Sequence, residues 1–236
     1  MTDYSLSMSF KALLLLTLAG CCEMQNGRIT NAEAGSSTDS VNYTLLKTPF
    51  YKDKHGNIVE KKIDAFIGEG NVETNRVYYD SIVFIRQKDS IMERTLSEII
   101  DIDTYTEFDQ VSCFSKDKNN VYFSYVNSGG SYRFIVNKAD PKTFRALSDY
   151  KYGMDDKHLF YQSKMIEGLN FSKHEILYTL DTTDFFIEYI KDDKLVFYNG
   201  DTLKGADAGT FKLMSGKAWS AIDKNFKYDN CGQRIE

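Results

Sequence analysis

The stretch Asp101-Ile102-Asp103-Thr104-Tyr105, followed by Asp117-Lys118-Asn119-Asn120-Val121-Tyr122-Phe123, contains two elements that recur down the chain. The first element, Asp-x-x-Thr-aromatic, returns as Asp140-Pro141-Lys142-Thr143-Phe144 and Asp207-Ala208-Gly209-Thr210-Phe211, with a degenerate copy at Asn170-Phe171-Ser172-Lys173-His174. An apolar residue (Phe108, Leu147, Met214 or Leu177) follows each copy three positions later. The second element returns as Asp156-Lys157-His158-Leu159-Phe160-Tyr161, Asp193-Lys194-Leu195-Val196-Phe197-Tyr198 and Asp223-Lys224-Asn225-Phe226-Lys227-Tyr228. Aligned on these Asp-Lys pairs, the elements stand 16 residues apart in three copies and 23 apart in the fourth, which places a seven-residue insertion around Tyr178 to Asp184.

Each element has a local physical reading. An aspartate three residues before a threonine, with Pro141 directly after Asp140, reads as a helix start whose carboxylate accepts free amide hydrogens. The aromatic and the apolar residue three further on would then share one face and plug a core. Asp-Lys-Asn-Asn is a turn tetrad, and Val-Tyr-Phe opens a strand. Asn199-Gly200 and Gly129-Gly130 supply tight hairpin turns. Fainter copies precede these: Glu73-Thr74-Asn75-Arg76-Val77-Tyr78-Tyr79 mimics the Asp117 element, and Lys52 to Asn57 reads as a divergent turn. A unit of this size cannot bury its own apolar face and must stack on its neighbours. The expectation is a mainly β fold, an array of strand-turn-strand units with short helical turns, built as an open curled sheet or a propeller-like arrangement over residues 42–236 and clearest over 101–236. The Asp-Lys-Asn-x-Val-Tyr-Tyr pattern with Gly205-Ala206-Asp207-Ala208-Gly209-Thr210-Phe211 resembles the DKNYY repeat family of bacterial exported proteins. That resemblance implies a repeat fold and carries no reaction. Lys227 departs from it, standing where an aromatic is expected.

Working back to the amino terminus, Lys11 precedes the apolar run Ala12 to Leu18, which ends in Ala19-Gly20-Cys21. The run is too short to span a bilayer as a helix and has the length of a signal-peptide core. Leu18-Ala19-Gly20-Cys21 resembles the lipobox of bacterial lipoproteins, which implies cleavage before Cys21 and a lipid on its thiol. Residues 1–20 are then a signal peptide, and residues 21–41 a polar tether from the lipidated Cys21. Asp3 is unusual in such a leader, and Met8 is an alternative start. The resemblance implies a lipid-anchored place in the cell envelope. By analogy with enterobacterial sorting, Cys22 after the lipid site favours the outer membrane where two membranes exist.

The formal charge of −5 speaks against non-specific nucleic-acid binding, which needs a basic footprint. Cys113 and Cys231 are a candidate disulfide in an exported compartment, the alternative being two separate buried thiols. His55, His158 and His174 stand apart from any serine or cysteine grouping that would suggest nucleophilic catalysis. The run Asp101 to Asp109 lacks the glycine and the terminal glutamate of an EF-hand, so that reading is rejected. Weak Ca²⁺ binding between units stays open, against solvated turn carboxylates. Asp155-Asp156 and Asp192-Asp193 are paired carboxylates, but a catalytic pair has no reason to be copied along an array.

The expected function is therefore non-catalytic, without cofactor or metal. It is a membrane-anchored repeat domain that binds a protein or an envelope polymer, with Tyr125, Tyr132 and Tyr189 as candidate contacts. A toxin-neutralising protector is a narrower form of the same reading. The alternatives are an envelope glycan-acting enzyme and a passive structural spacer.

Overall fold

The computed structural model describes residues 42–67, 73–87, 90–108, 113–127, 130–147, 151–181, 184–214, 221–229 and 232–235. Strands make up 49% and helix 5%, in several small antiparallel sheets without a closed barrel, so the fold is mainly β as expected. The chain divides into two compact units, residues 1–135 and 136–236.

In the first unit, β1 (Tyr43–Lys47), β2 (Phe50–Asp53), β3 (Ile58–Ile67) and β4 (Glu73–Asp80) form an antiparallel meander. Asp53 closes the β2–β3 turn by accepting from the amides of His55 and Asn57, each at 2.8 Å, as the divergent-turn reading anticipated. The Glu73 to Tyr79 segment is not a turn copy. It is strand throughout, paired residue for residue with β3 from Glu73 opposite Ile67 to Asp80 opposite Glu60.

Strands β5 (Ile82–Arg86) and β6 (Ile91–Thr95) lead into a four-residue helix, α1 (Leu96–Ile99). The helix begins in a capping box formed by Thr95 and Glu98. The first clear repeat follows as β7 (Thr106–Glu107), β8 (Phe114–Lys116), β9 (Val121–Asn127) and β10 (Gly130–Ile135). These strands join β5 and β6 in a six-stranded sheet of order β6-β5-β10-β9-β8-β7, in which β5 and β10 run parallel. One face of this sheet builds a core from Val83, Tyr122 and Ile135 together with Phe50, Leu96, Ile100 and Tyr105.

The second unit contains three four-stranded meanders. The first is β11 (Arg145–Ala146), β12 (Tyr152–Met154), β13 (Leu159–Tyr161) and β14 (Lys164–Met165). The second is β15 (Glu175–Asp181), β16 (Asp184–Lys191), β17 (Val196–Tyr198) and β18 (Asp201–Thr202). The third is β19 (Lys212–Leu213), β20 (Ala221–Ile222), β21 (Lys227–Tyr228) and β22 (Arg234–Ile235). The insertion seen in the sequence lengthens the β15–β16 hairpin, whose strands run to 7 and 8 residues against 2 and 3 in the preceding sheet.

Consecutive sheets of this unit share cores. Met154, Leu159 and Ile166 of the first pack with Ile190 and Phe197 of the second. Val196 of the second packs with Phe211, Ala221 and Tyr228 of the third. The single helical turn before each sheet supplies a buried aromatic as predicted, Tyr105, Phe144 and Phe211 each being 3% exposed. The apolar residues three positions on behave differently. Phe108, Leu147 and Met214 are half-buried, because the chain leaves the helical turn at the aromatic and enters a strand. In the degenerate copy, His174 is only half-buried, and its ring lies 4.9 Å from that of Phe171.

The Asn199-Gly200 hairpin is confirmed, both residues taking positive φ (50° and 81°) between paired Tyr198 and Asp201. The turn containing Gly129 lies outside the described residues. Gly200 has a second reason to lack a side chain. A Cβ there would sit 2.7 Å from the Cβ of Tyr161 in the preceding sheet, and Gly232 stands equally close to Tyr198. Tyr161 and Tyr198, on the third strands of the first two sheets, thus lie against the closing turn of the next sheet. Gly200→Ala combines left-handed strain with a clash and is expected to cost about 2 kcal/mol. Urea denaturation checks this; an unchanged midpoint would show that the two sheets can separate at no cost.

Candidate functional site: repeated aspartates and an aromatic rim

The carboxylates that looked most like chemistry turn out to be structural. Asp117, Asp155, Asp192 and Asp223 are each 3–6% exposed and occupy one position of the repeat. In each, Oδ1 accepts from the two amides two and three residues on: Asn119 and Asn120, Lys157 and His158, Lys194 and Leu195, Asn225 and Phe226, all at 2.6–2.8 Å. Oδ2 reaches back to the amide that opens the helical turn, at Asp101, Asp140, Asn170 or Asp207, at 2.7–3.0 Å. Tyr122 and Tyr228 add their hydroxyls to Asp117 and Asp223. In the second copy Phe160 replaces the tyrosine, and the His158 ring approaches Asp155 at 3.3 Å instead. Burial disfavours the charge on Asp155, Asp192 and Asp223, yet the backbone amides more than offset it and hold all three carboxyls below their usual range.

This geometry corrects the alignment made on Asp-Lys pairs. The structural equivalents in the middle copies are Asp155 and Asp192, not Asp156 and Asp193. The true separations are therefore 16, 15, 22 and 16 residues. The turn requires a carboxylate at its first position, where it can reach two amides at once. The lysine is at the solvent tip, where identity is free, and it misled the alignment.

At that tip a second layer of contacts ties the elements together. Thr104, Thr143 and Thr210 accept the amides of Lys118, Asp156 and Lys224. Asp101 pairs with Lys118 at 2.5 Å and Asp207 with Lys224 at 2.8 Å. Lys118 and Thr104 hold Asp101 down at about 2. In the third copy the polarity is reversed, with Lys173 from the helical turn pairing with Asp193 at 2.6 Å. Among the described residues no group of three or more histidines, cysteines or acids could hold a metal ion.

Sequence reasoning missed the charged core of the first unit entirely. Arg133 on β10, 1% exposed, donates Nε and Nη2 to the two oxygens of Glu60 at 3.0 and 2.5 Å, and Nη1 to Ser115 Oγ at 2.7 Å. Its guanidinium lies 5.5–5.8 Å from the ring centres of Phe50, Tyr105 and Tyr122. Burial opposes the charge on Glu60, but Arg133 outweighs it and holds the carboxyl below its ordinary value. The same burial pushes the Tyr105 hydroxyl up to about 12. Nearby, Lys62 reaches Asp80 at 2.6 Å and the carbonyl of Ser131 at 2.7 Å. The sequence carried no signal for it beyond two charges, Glu60 and Arg133, set within β-favouring runs.

The opposite face of the six-stranded sheet is aromatic. Phe114 and Phe123 are buried on its β8–β9 side. Towards β5 and β6 the same face carries Phe84, Arg86, Tyr125 and Tyr132, all half-buried, with Ile91 51% exposed. Phe84 meets Tyr132 edge-on at 5.7 Å and Phe134 at 5.4 Å, while Arg86 stands 5.1 Å over the Phe134 ring. Tyr132 is paired directly with Tyr125, and Arg86 with Ile91. Two of the three predicted contact tyrosines therefore meet in one rim. The third does not belong: Tyr189 is fully buried, its hydroxyl on the carbonyl of Asp229, because it fills the core between two sheets.

The remaining predicted positions are distributed as follows. Cys113 is buried, 4% exposed, and Cys21 and Cys231 lie outside the described residues. His55 is exposed in the β2–β3 turn. Among the described residues no helix is long and apolar enough to cross a membrane. No protein-family model, no curated protein and no solved structure matches the chain.

Proposed function

We propose that the chain is a membrane-anchored lipoprotein of the cell envelope, lipidated at Cys21, whose DKNYY-like repeat domain binds a protein partner without catalysis. The observation that carries the binding reading is the rim of Phe84, Arg86, Ile91, Tyr125 and Tyr132. Aromatic residues and arginine dominate the energetics of protein interfaces. Here they stand half-exposed with their rings and guanidinium already packed on one another, which lowers the side-chain ordering a partner would have to impose. The repeated aspartates argue in the same direction, since all four are engaged by backbone amides and serve the scaffold.

The test is crosslinked capture from envelope extract by the full chain, compared with a Phe84→Ala/Tyr132→Ala variant whose unfolding curve is recorded alongside. One stoichiometric protein partner is expected, bound at least about tenfold more weakly by the variant. Capture unaffected by the substitutions would move the contact off this rim. A blank from well-folded protein would overturn the protein-binding reading in favour of a glycan ligand or a spacer.

A further inference from the structure

The first meander, β1 to β4, has two faces, and only one of them turns to the core. Phe50 on β2 and Ile58 on β3 pack into the core of the first unit. Alternate residues point the other way. That outer face runs across the strands from Tyr43 and Leu45 on β1, through Tyr51 on β2 and Ile63 on β3, to Val77 and Tyr79 on β4. Tyr43 stacks on Tyr79 with ring centres 3.7 Å apart, and Tyr51 meets Tyr79 edge-on at 5.5 Å. The face is nevertheless open to solvent. Leu45, Leu46 at the β1 bulge and Val77 are 56%, 43% and 41% exposed.

Charge and chain connectivity decide what this face can meet. Lys61 stands in it opposite Tyr79, and Lys52 and Lys54 are exposed beside the β2–β3 turn, whereas the whole chain carries −5. The neighbouring Asp53 is held by the amides of His55 and Asn57. Lysine is depleted at protein interfaces but is drawn to anionic headgroups. Tyrosine, apolar in body and polar at its tip, suits the boundary between headgroups and acyl chains. Residues 22–42 alone separate Cys21 from Tyr43, the first residue of β1. A segment of that length reaches at most about 75 Å, so a lipid on Cys21 keeps this face near a bilayer.

We infer that the outer face of the first meander docks on the anionic bilayer to which Cys21 is tethered, an inference that rests on the lipid anchor proposed above. The tether makes the contact intramolecular, so a face too weak to hold a free domain on the membrane suffices to hold an anchored one. Leu45, Leu46 and Val77 enter the boundary of headgroups and acyl chains, and the lysines stay among the phosphates.

Hydroxyl-radical footprinting of the full chain, purified from the membrane and placed on vesicles of phosphatidylethanolamine and phosphatidylglycerol, tests the inference. The comparisons are phosphatidylcholine vesicles and a Leu45→Glu/Val77→Glu variant whose fold is checked by circular dichroism. Oxidation of Tyr43 and Tyr51, read against Tyr125 and Tyr132 in the same sample, is expected to be severalfold lower in the wild type than in the variant. The protection should weaken on the neutral vesicles and as salt screens the lysines. Equal relative oxidation in wild type and variant would overturn the docking. So would protection that follows protein density instead of lipid charge, which would mean that a second copy covers the face. The mass of the peptide carrying Cys21 reads the anchor separately: an unmodified Cys21 would overturn the anchor, and a lipidated Cys21 with an unprotected face would overturn the docking alone.

Discussion

Arg133→Ala is expected to unfold the first unit at temperatures where the wild type is fully native. Removing one partner of a buried, hydrogen-bonded ion pair costs about 3–5 kcal/mol, because the other charge is left without compensation. Here Glu60 would lose both of its guanidinium bonds, and Ser115 and the faces of Phe50, Tyr105 and Tyr122 would lose their shared neighbour. A loss of that size is a large fraction of a domain's stability. Urea denaturation followed by tyrosine fluorescence measures it. Replacing both partners, Glu60→Leu with Arg133→Met, should recover most of the loss, since apolar side chains of similar volume often replace such pairs at no cost. If the single variant unfolds at the wild-type midpoint, the pair contributes nothing. The pH dependence has a definite sign. The Glu60 carboxyl is depressed in the folded state, so its contribution is fully present above its unfolded value. That contribution is lost as pH falls below about 4.3, the ordinary glutamate value, towards the folded one.

The second large effect falls on the repeat itself. Asp223→Ala would strand the amides of Asp207, Asn225 and Phe226 and the hydroxyl of Tyr228, four donors that share one carboxylate. Each buried donor left unsatisfied costs about 1–3 kcal/mol, so a total of roughly 4 kcal/mol is expected even after water reaches some of them. Asp192→Ala strands three donors, those of Asn170, Lys194 and Leu195, because Phe197 stands where Tyr228 supplies its hydroxyl. The loss at Asp223 should therefore exceed the loss at Asp192, a ranking that thermal unfolding of the two variants decides. Asp223→Asn, which keeps one carbonyl oxygen, should fall between wild type and alanine. Equal losses for Asp223→Ala and Asp192→Ala would mean that the tyrosine hydroxyl adds nothing.

The repeat was legible because its chemistry is local. An aspartate that must reach two amides within three residues leaves a trace in any copy, and so does an aromatic that must fill a core. What the sequence concealed was which aspartate did the work. In Asp155-Asp156 and Asp192-Asp193 either residue satisfies a pattern, and only the carboxylate that turns inward satisfies the hydrogen bonds. Tyr189 was misjudged for a related reason, since its burial depends on a neighbouring sheet and not on its own strand. Arg133 and Glu60 are 73 residues apart, and a contact at that range has no signature in a single sequence.

The reversed pair Lys173–Asp193 has a consequence for how the chain finds its fold. Tandem copies that resemble one another invite register errors during folding, in which the turn of one repeat docks on the helical segment of another. In such a mistake Asp101 or Asp207 would face Asp193, and Lys173 would face Lys118 or Lys224. Like charges would then meet at each tip where the correct partners attract. The inverted copy thus discriminates its own turn from those of the first and last copies, where the charges stand the other way round.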